Sequence, residues 1–251
     1  MGIIDIPMVK IDWLTFSYGR KKPLFDNFSL SLQAGKAVGL LGRNGTGKST
    51  LLYLMCGLLH PKKGRIEFKG MDVTRCGVEM LSNVFLVPEE FSLPNISLRK
   101  YVELYAPFYP AFSDDLLQSC LRNFDLEDDI RLGELSMGQK KKAFMAFALA
   151  ANTALLLLDE PTNGLDIPSK IQFRKVVADC MNDERTLVIS THQVLDIDKL
   201  LTHLVMIDNA KLLLDEDVST IIEKTGKPLD IEQLFNDIIY NRETLQELFK
   251  K

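Results

Sequence analysis

Nine residues, Gly42-Arg43-Asn44-Gly45-Thr46-Gly47-Lys48-Ser49-Thr50, constrain this chain more than any other stretch. They follow a short apolar run, Ala37–Leu41, and lead into the helical pattern Thr50-Leu-Leu-Tyr-Leu-Met-Cys-Gly-Leu-Leu. The pattern G-x-x-x-x-G-K-[ST] between a strand and a helix describes a phosphate loop. Its glycines let backbone amides turn inward as an anion nest, and the helix N-terminus adds partial positive charge. Lys48 is placed to reach the β- and γ-phosphates of a nucleotide, and the Ser49 hydroxyl to ligate Mg²⁺. A chance glycine-rich turn is the competing reading, and the flanking strand and helix weigh against it. The loop alone leaves the base and the chemistry open. An Asn-Lys-x-Asp guanine reader is missing, because no asparagine is followed by lysine. A small-molecule kinase stays open at this point.

Apolar patterning supplies the frame around the loop. Residues 9–18 and 28–33 alternate apolar and polar, as half-buried antiparallel strands do. Ala37–Leu41, Val84–Val87, Leu155–Leu158, Leu187–Ser190 and Leu204–Ile207 are short and almost wholly apolar, the mark of strands buried on both faces. Helical stretches between several of them predict a largely parallel sheet covered on both sides. From about Phe91 to Leu135 the pattern is helical, with Ser97 and Ser113 as N-caps and Leu116, Leu117, Cys120, Leu121 and Phe124 on one face. The segment from Asp230 to Lys251 is amphipathic through Ile231, Leu234, Phe235, Ile238 and Ile239, then Leu245, Leu248 and Phe249. Packing on the core is its expected role.

Two further motifs narrow the chemistry. Leu155-Leu-Leu-Leu158 exits into Asp159-Glu160-Pro161, and successive strand residues point opposite ways, so the two acids divide the work. Asp159 would hold Mg²⁺ beside Ser49, and Glu160 would orient and deprotonate an attacking water. A turn after a core strand is the bland alternative, and the upstream phosphate loop displaces it. Leu135-Ser136-Met137-Gly138-Gln139 then opens the helix Lys-Lys-Lys-Ala-Phe-Met-Ala-Phe-Ala-Leu-Ala-Ala. Ser136 and Gln139 have capping-box spacing. Lys140, Lys141 and Lys142 oppose the macrodipole of a helix first turn, which suggests an end built to receive a phosphate from outside.

With these motifs in place the chain resembles the nucleotide-binding subunit of an ABC transporter over about residues 8 to 235. The family's Walker A loop is Gly42–Thr50, Walker B is Leu155–Asp159, and the signature LSGGQ reads Leu135–Gln139 with Met137 for the first glycine. The resemblance implies Glu160 as catalytic glutamate, Asp166 in the D-loop, His192 as switch histidine and Tyr18 as the ring stacked on adenine. Core packing for Tyr18, a structural role for His192 and helix capping by Asp166 are the competing readings. The Q-loop glutamine is Glu89 here, which still suits Mg²⁺ but adds negative charge near the γ-phosphate. That glutamate, the lysine run and the 230–235 segment resemble the drug- and antibiotic-export branch. The resemblance implies an α/β P-loop NTPase: a RecA-like core with a mostly parallel sheet (8–90 and 152–225), an N-terminal antiparallel β-subdomain, an inserted helical subdomain (91–151) and an amphipathic tail (226–251). It further implies ATP and Mg²⁺ as cofactors, a head-to-tail homodimer or heterodimer with a paralogous ATPase, and membrane-spanning permease subunits on separate chains. Ser136, Gly138 and Gln139 would then meet the partner's nucleotide. A soluble ABC ATPase of protein assembly, translation or DNA repair is the alternative, disfavoured by the lack of tandem cassettes, long coiled coils or basic extensions.

Composition fits this frame. The 251 residues, 46% of them hydrophobic, suffice for one large domain. A formal charge of −4 and a pI near 5.5 argue against nucleic-acid binding. The clusters Arg20-Lys21-Lys22 and Lys62-Lys63 read as solvated faces. Cys56, Cys76, Cys120 and Cys180 form no CxxC pair and fit a reducing compartment. The N-terminus lacks a secretory pattern, and the apolar run from Ala143 to Leu158 is too short to span a membrane. A cytoplasmic protein, peripheral on the inner face of the cell membrane, is the expectation.

Overall fold

The computed structural model describes residues 6–20, 22–75, 77–226 and 228–240. In chain order the elements are β1 (Val9–Phe16), β2 (Phe25–Leu32), β3 (Ala37–Leu41), α1 (Lys48–Met55), β4 (Lys63–Phe68), β5 (Met71–Asp72), α2 (Val78–Leu81) and β6 (Val84–Val87). Then come α3 (Leu98–Tyr105), α4 (Asp114–Phe124), α5 (Met137–Ala150), β7 (Leu155–Asp159), α6 (Ile167–Asp179) and β8 (Thr186–Thr191). Last are β9 (His203–Asp208), β10 (Lys211–Asp217), α7 (Val218–Thr225) and α8 (Ile231–Tyr240). They build a four-stranded antiparallel sheet, β2-β1-β4-β5, and a six-stranded sheet, β10-β9-β3-β8-β7-β6. The larger sheet is parallel except for β10, which returns antiparallel on β9.

Strand periodicity divides the core in two. On β7, Leu155 and Leu157 join the cluster of α1 and the antiparallel sheet, whereas Leu156 and Leu158 join the cluster of α4, α5 and α6. β3 and β8 split the same way, with Val38, Leu40 and Val188 on one side and Leu41, Leu187 and Ile189 on the other. Both faces are therefore dry, which is why these strands read as unbroken apolar runs.

The helical segment follows its caps. Ser97 accepts from the Lys100 amide and Ser113 from the Leu116 amide. Leu117, Cys120, Leu121 and Phe124 are buried, and Leu116 packs beside them half-buried. From Ala143 to Ala150, α5 is buried except at the half-exposed Phe144, so its apolar run is a core helix. No helix among the described residues is long and apolar enough to cross a membrane. In α8, Ile231, Leu234 and Ile238 are buried in the core as expected, while Leu245, Leu248 and Phe249 lie outside the described residues. The structure adds β4, β5, β10 and α7 to what periodicity shows. β4 buries only Ile66 and Phe68 and keeps Lys63-Gly64-Arg65 in solvent, so its sequence reads as polar. Lys62 and Lys63 are both exposed, as the solvated reading expects, and the Lys62 ammonium donates to the Gly19 carbonyl. Cys120 on α4 and Cys180 after α6 are distant in sequence yet bring their sulfurs to 3.9 Å as buried thiols.

Candidate functional site

The site stands on the carboxyl ends of β3, β7 and β8, three adjacent strands of the parallel sheet, where such folds place their ligands. The phosphate loop leaves β3 and folds over itself. Gly47, the N-cap of α1, has φ of 104°, and a Cβ there would lie 2.9 Å from Phe25 Cζ. At Gly42 a Cβ would meet the Ile207 carbonyl at 2.5 Å. Thr46 Oγ1 donates to the Arg43 carbonyl at 2.8 Å and closes the turn. Lys48 lies across it, its Nζ donating to the Gly42 carbonyl at 2.8 Å and the Arg43 carbonyl at 3.3 Å. Burial lowers the Lys48 pKa, and the nearby carboxylate of Glu160 opposes the shift.

Two carboxylates face the loop from β7. Asp159 ends the strand and accepts a hydrogen bond from the Ser190 hydroxyl, and the nearby Ser49 side chain also favours its charged form. Burial nonetheless raises its pKa. At Glu160 the chain leaves the strand with φ of 43°, a left-handed value that costs a residue with a side chain about 1–2 kcal/mol. The Glu160 amide donates to the Ser190 carbonyl and hydroxyl, and this anchors the bend. Its Oε1 sits 3.5 Å from Lys48 Nζ and 2.8 Å from His192 Nδ1. Its Oε2 is buried without a partner. His192 follows β8 and is partly exposed. Glu89, just past β6, is exposed and accepts from Asn163 Nδ2 at 2.8 Å.

These groups line one cavity of about 630 Å³, within the usual range for small-molecule sites. Tyr18, Asn44, Gly45, Gly47, Lys48, Ser49, Thr50, Glu89, Glu160 and His192 all reach it. Tyr18 is half-exposed at the mouth, its hydroxyl 3.0 Å from Thr50 Oγ1 and its ring edge-on to Phe16, so it is not a core residue. Arg43 points away into an ion pair with Asp208 at 2.7 Å, and Gly42 and Thr46 shape the loop from beneath. Lys22, Pro23, Leu24 and Asn163 also line it and escape the sequence reading. Asn163 lies in an ordinary-looking Pro-Thr-Asn-Gly turn, and Lys22 belongs to a cluster read as a solvated face. Among the described residues no three His, Cys, Asp or Glu side chains are grouped tightly enough to hold a metal by themselves.

The signature residues lie elsewhere. Ser136 Oγ accepts from the Gln139 amide at 3.3 Å and Gln139 Oε1 from the Ser136 amide at 3.1 Å, which completes the capping box. Neither they nor Gly138 line the cavity. Asp166 caps α6 through the Ser169 amide at 2.9 Å, as the capping alternative requires. The lysine run does not present three cations to an outside anion. Lys141 is buried and directed inward to the carbonyls of Glu160 and Asn163, and Lys142 donates to Gln172.

The chain is similar to known nucleotide-binding proteins. The model of the ABC transporter family matches residues 25–163. The Nod factor export ATP-binding protein I of Burkholderia thailandensis is 30% identical over 208 residues, which cover 80% of this chain and 68% of that one. The bacitracin transport ATP-binding protein BcrA of Bacillus licheniformis is 28% identical over 229 residues, 90% of this chain and 74% of that one. A solved ATP-binding subunit of an ABC transporter shares the fold with a TM-score of 0.81 at 21% identity, over 92% of this chain and 99% of that one.

Proposed function

The chain belongs to the ABC transporter family, and from that premise we propose that it hydrolyses ATP to drive export through permease subunits carried on separate chains. Two copies, or this chain and a paralogue, pair head to tail on the inner face of the membrane. Tyr18 stacks on adenine at the cavity mouth, where half its surface is open. The amides of Asn44, Gly45 and Gly47 cradle the phosphates while Lys48 meets the β- and γ-groups. Ser49, Asp159 and Glu89 hold Mg²⁺. The closeness of Ser49 to the Asp159 carboxylate, whose pKa it pulls down against burial, supports this by bringing two hard oxygen donors together. Among the described residues too few protein ligands converge to fix the ion alone, which suits Mg²⁺ bound through phosphate oxygens and water. When bound, the ion neutralises charge on those oxygens.

Glu160 orients and deprotonates the attacking water. Its Oε1 is occupied by Lys48 and His192, and its unpartnered Oε2 is the oxygen left to accept the proton. An imidazolium at His192 would donate through Nδ1 to Glu160 and through Nε2 to the γ-phosphate at once. The site is completed in trans. The observation behind this reading is the position of Ser136, exposed at the start of α5 and outside its own cavity. Its hydroxyl oxygen is engaged in the capping box, but its hydrogen remains free to donate. Beside it, a Cβ on Gly138 would meet nothing within 4 Å, so a ligand has room to approach. Asp166, at the start of α6, touches the partner's phosphate loop in the same arrangement.

Glu160→Gln should lower turnover by about 10²–10⁴-fold and keep the ATP-bound pair together. Light scattering of that variant should report a dimer in Mg-ATP and a monomer in ADP, with Ser136→Arg abolishing the dimer. The measurement is repeated with any paralogue, since a heterodimeric system leaves this chain alone. A monomer under every condition overturns the composite site.

A further inference from the structure

Lys141 is the one residue of the lysine run with no route to solvent chemistry. It sits in the second turn of α5, 8% exposed, and its Nζ donates to the Asn163 carbonyl at 2.8 Å and the Glu160 carbonyl at 3.3 Å. Among the described residues no carboxylate pairs with it within 4.0 Å. Burial lowers its pKa against the pull of Glu89, Glu160 and Asp159. A buried ammonium without an ion pair is a poor way to fill a core, and an aliphatic chain of the same volume packs there at lower desolvation cost. Its geometry offers something an aliphatic chain does not. The two carbonyls are the ends of the turn that follows β7, closed by the Asn163 amide donating to the Glu160 carbonyl at 3.2 Å. Glu160 opens this turn in the left-handed region, and Asn163 closes it while holding Glu89.

We propose that Lys141 is a positioning residue that straps the Glu160–Asn163 turn to the signature helix. The helix whose first residues meet the partner's nucleotide and the turn that presents Glu160 in the chain's own cavity then move as one piece. Seating Ser136 on one nucleotide is thereby felt at the carboxylate attending the other. This rests on the reading of Glu160 as the general base that orients and deprotonates the attacking water.

The full-length chain is compared with Lys141→Met, which keeps length without a donor, and with Lys141→Gln, whose amide can still donate to a carbonyl. Hydrogen exchange of the amides of residues 162–165 should quicken about tenfold in Lys141→Met, while β3 stays as protected as before. Turnover should fall by about 10–100-fold, because a misplaced carboxylate loses that much, while the KM for ATP stays within about threefold. Lys141→Gln should restore both to within about threefold of the natural chain. Unchanged exchange at 162–165 in Lys141→Met overturns the proposal. So does a loss of turnover that comes with an equal loss of ATP affinity and is not restored by Lys141→Gln. If Lys141→Met does not fold, Lys141→Arg decides instead. It keeps the charge but displaces the turn, so wild-type exchange and turnover there overturn the proposal. A natural chain without turnover would sink the hydrolytic reading alone, and the exchange measurements would still decide Lys141.

Discussion

The cavity at the end of the parallel sheet and the N-terminus of α5 are both anion-seeking surfaces, but they are built in opposite ways. In the cavity, buried charges are brought together under mutual strain. Lys48 is desolvated beside Glu160, Asp159 is buried against the Ser190 hydroxyl, and Glu160 keeps one oxygen unpartnered. At Ser136 every local demand is met within the helix by the capping box, and the surface stays open. A region that satisfies itself can wait for a partner without cost to the monomer. A region that stores unsatisfied charge needs its ligand to complete it. Under the proposed function the contrast separates binding, which one chain performs, from turnover, which needs two.

The most severe way to break that separation is Ser136→Arg. It should cut turnover by about 100-fold or more, as the loss of a donor aimed at developing charge does. Monomer affinity for ATP, measured by calorimetry, should stay within about twofold because the residue lies outside its own cavity. A comparable loss of monomer affinity would erase the distinction. Tyr18→Ala tests the other side. Loss of one base stack should raise the Kd for ATP by about tenfold, and turnover at saturating ATP should hardly change. The smallest effect comes from His203, at the amino end of β9. Burial works against its positive charge, but hydrogen bonds from both ring nitrogens to Asp215 and Asp217, with their charge, outweigh this and raise its pKa. Its stabilisation is therefore complete below the unfolded value near 6.5 and is lost as pH rises through the raised folded value. Tm should fall by about 2–4 °C across that interval while the Kd for ATP holds, and His203→Gln should flatten the slope. A Kd that tracks the same interval would show that the two ends of the sheet are not independent.

Much of this was legible in order of residues because the parallel strands are dry on both faces and announce themselves as apolar runs. The glycine loop, the Asp159-Glu160 pair and the serine caps are equally local, each fixed by backbone chemistry within a few residues. Contacts that depend on distant pieces meeting were not. Asn163 becomes a lining residue only because its turn faces Glu89 across the sheet. Lys141 looked like a helix-end cation because sequence places it in the run of lysines but cannot say which way the helix is turned. Packing α5 against the sheet turns Lys141 inward. Lys22 reads as part of a charged surface until β1 delivers it to the cavity mouth.

Strand order also sets when the molecule becomes competent during its own synthesis. β3 carries the phosphate loop, yet its neighbours in the sheet are β8 and β9, both made far later in the chain. At roughly 5–20 residues per second, Ala37–Leu41 must wait on the order of ten seconds for residues 186–191 to arrive, with its apolar edges unpaired. The antiparallel sheet β2-β1-β4-β5 closes early and can shelter one face in the meantime. Assembly of the nucleotide site is thus postponed until β8 and β9 have emerged, and the long interval before then is when the nascent chain is most exposed to aggregation.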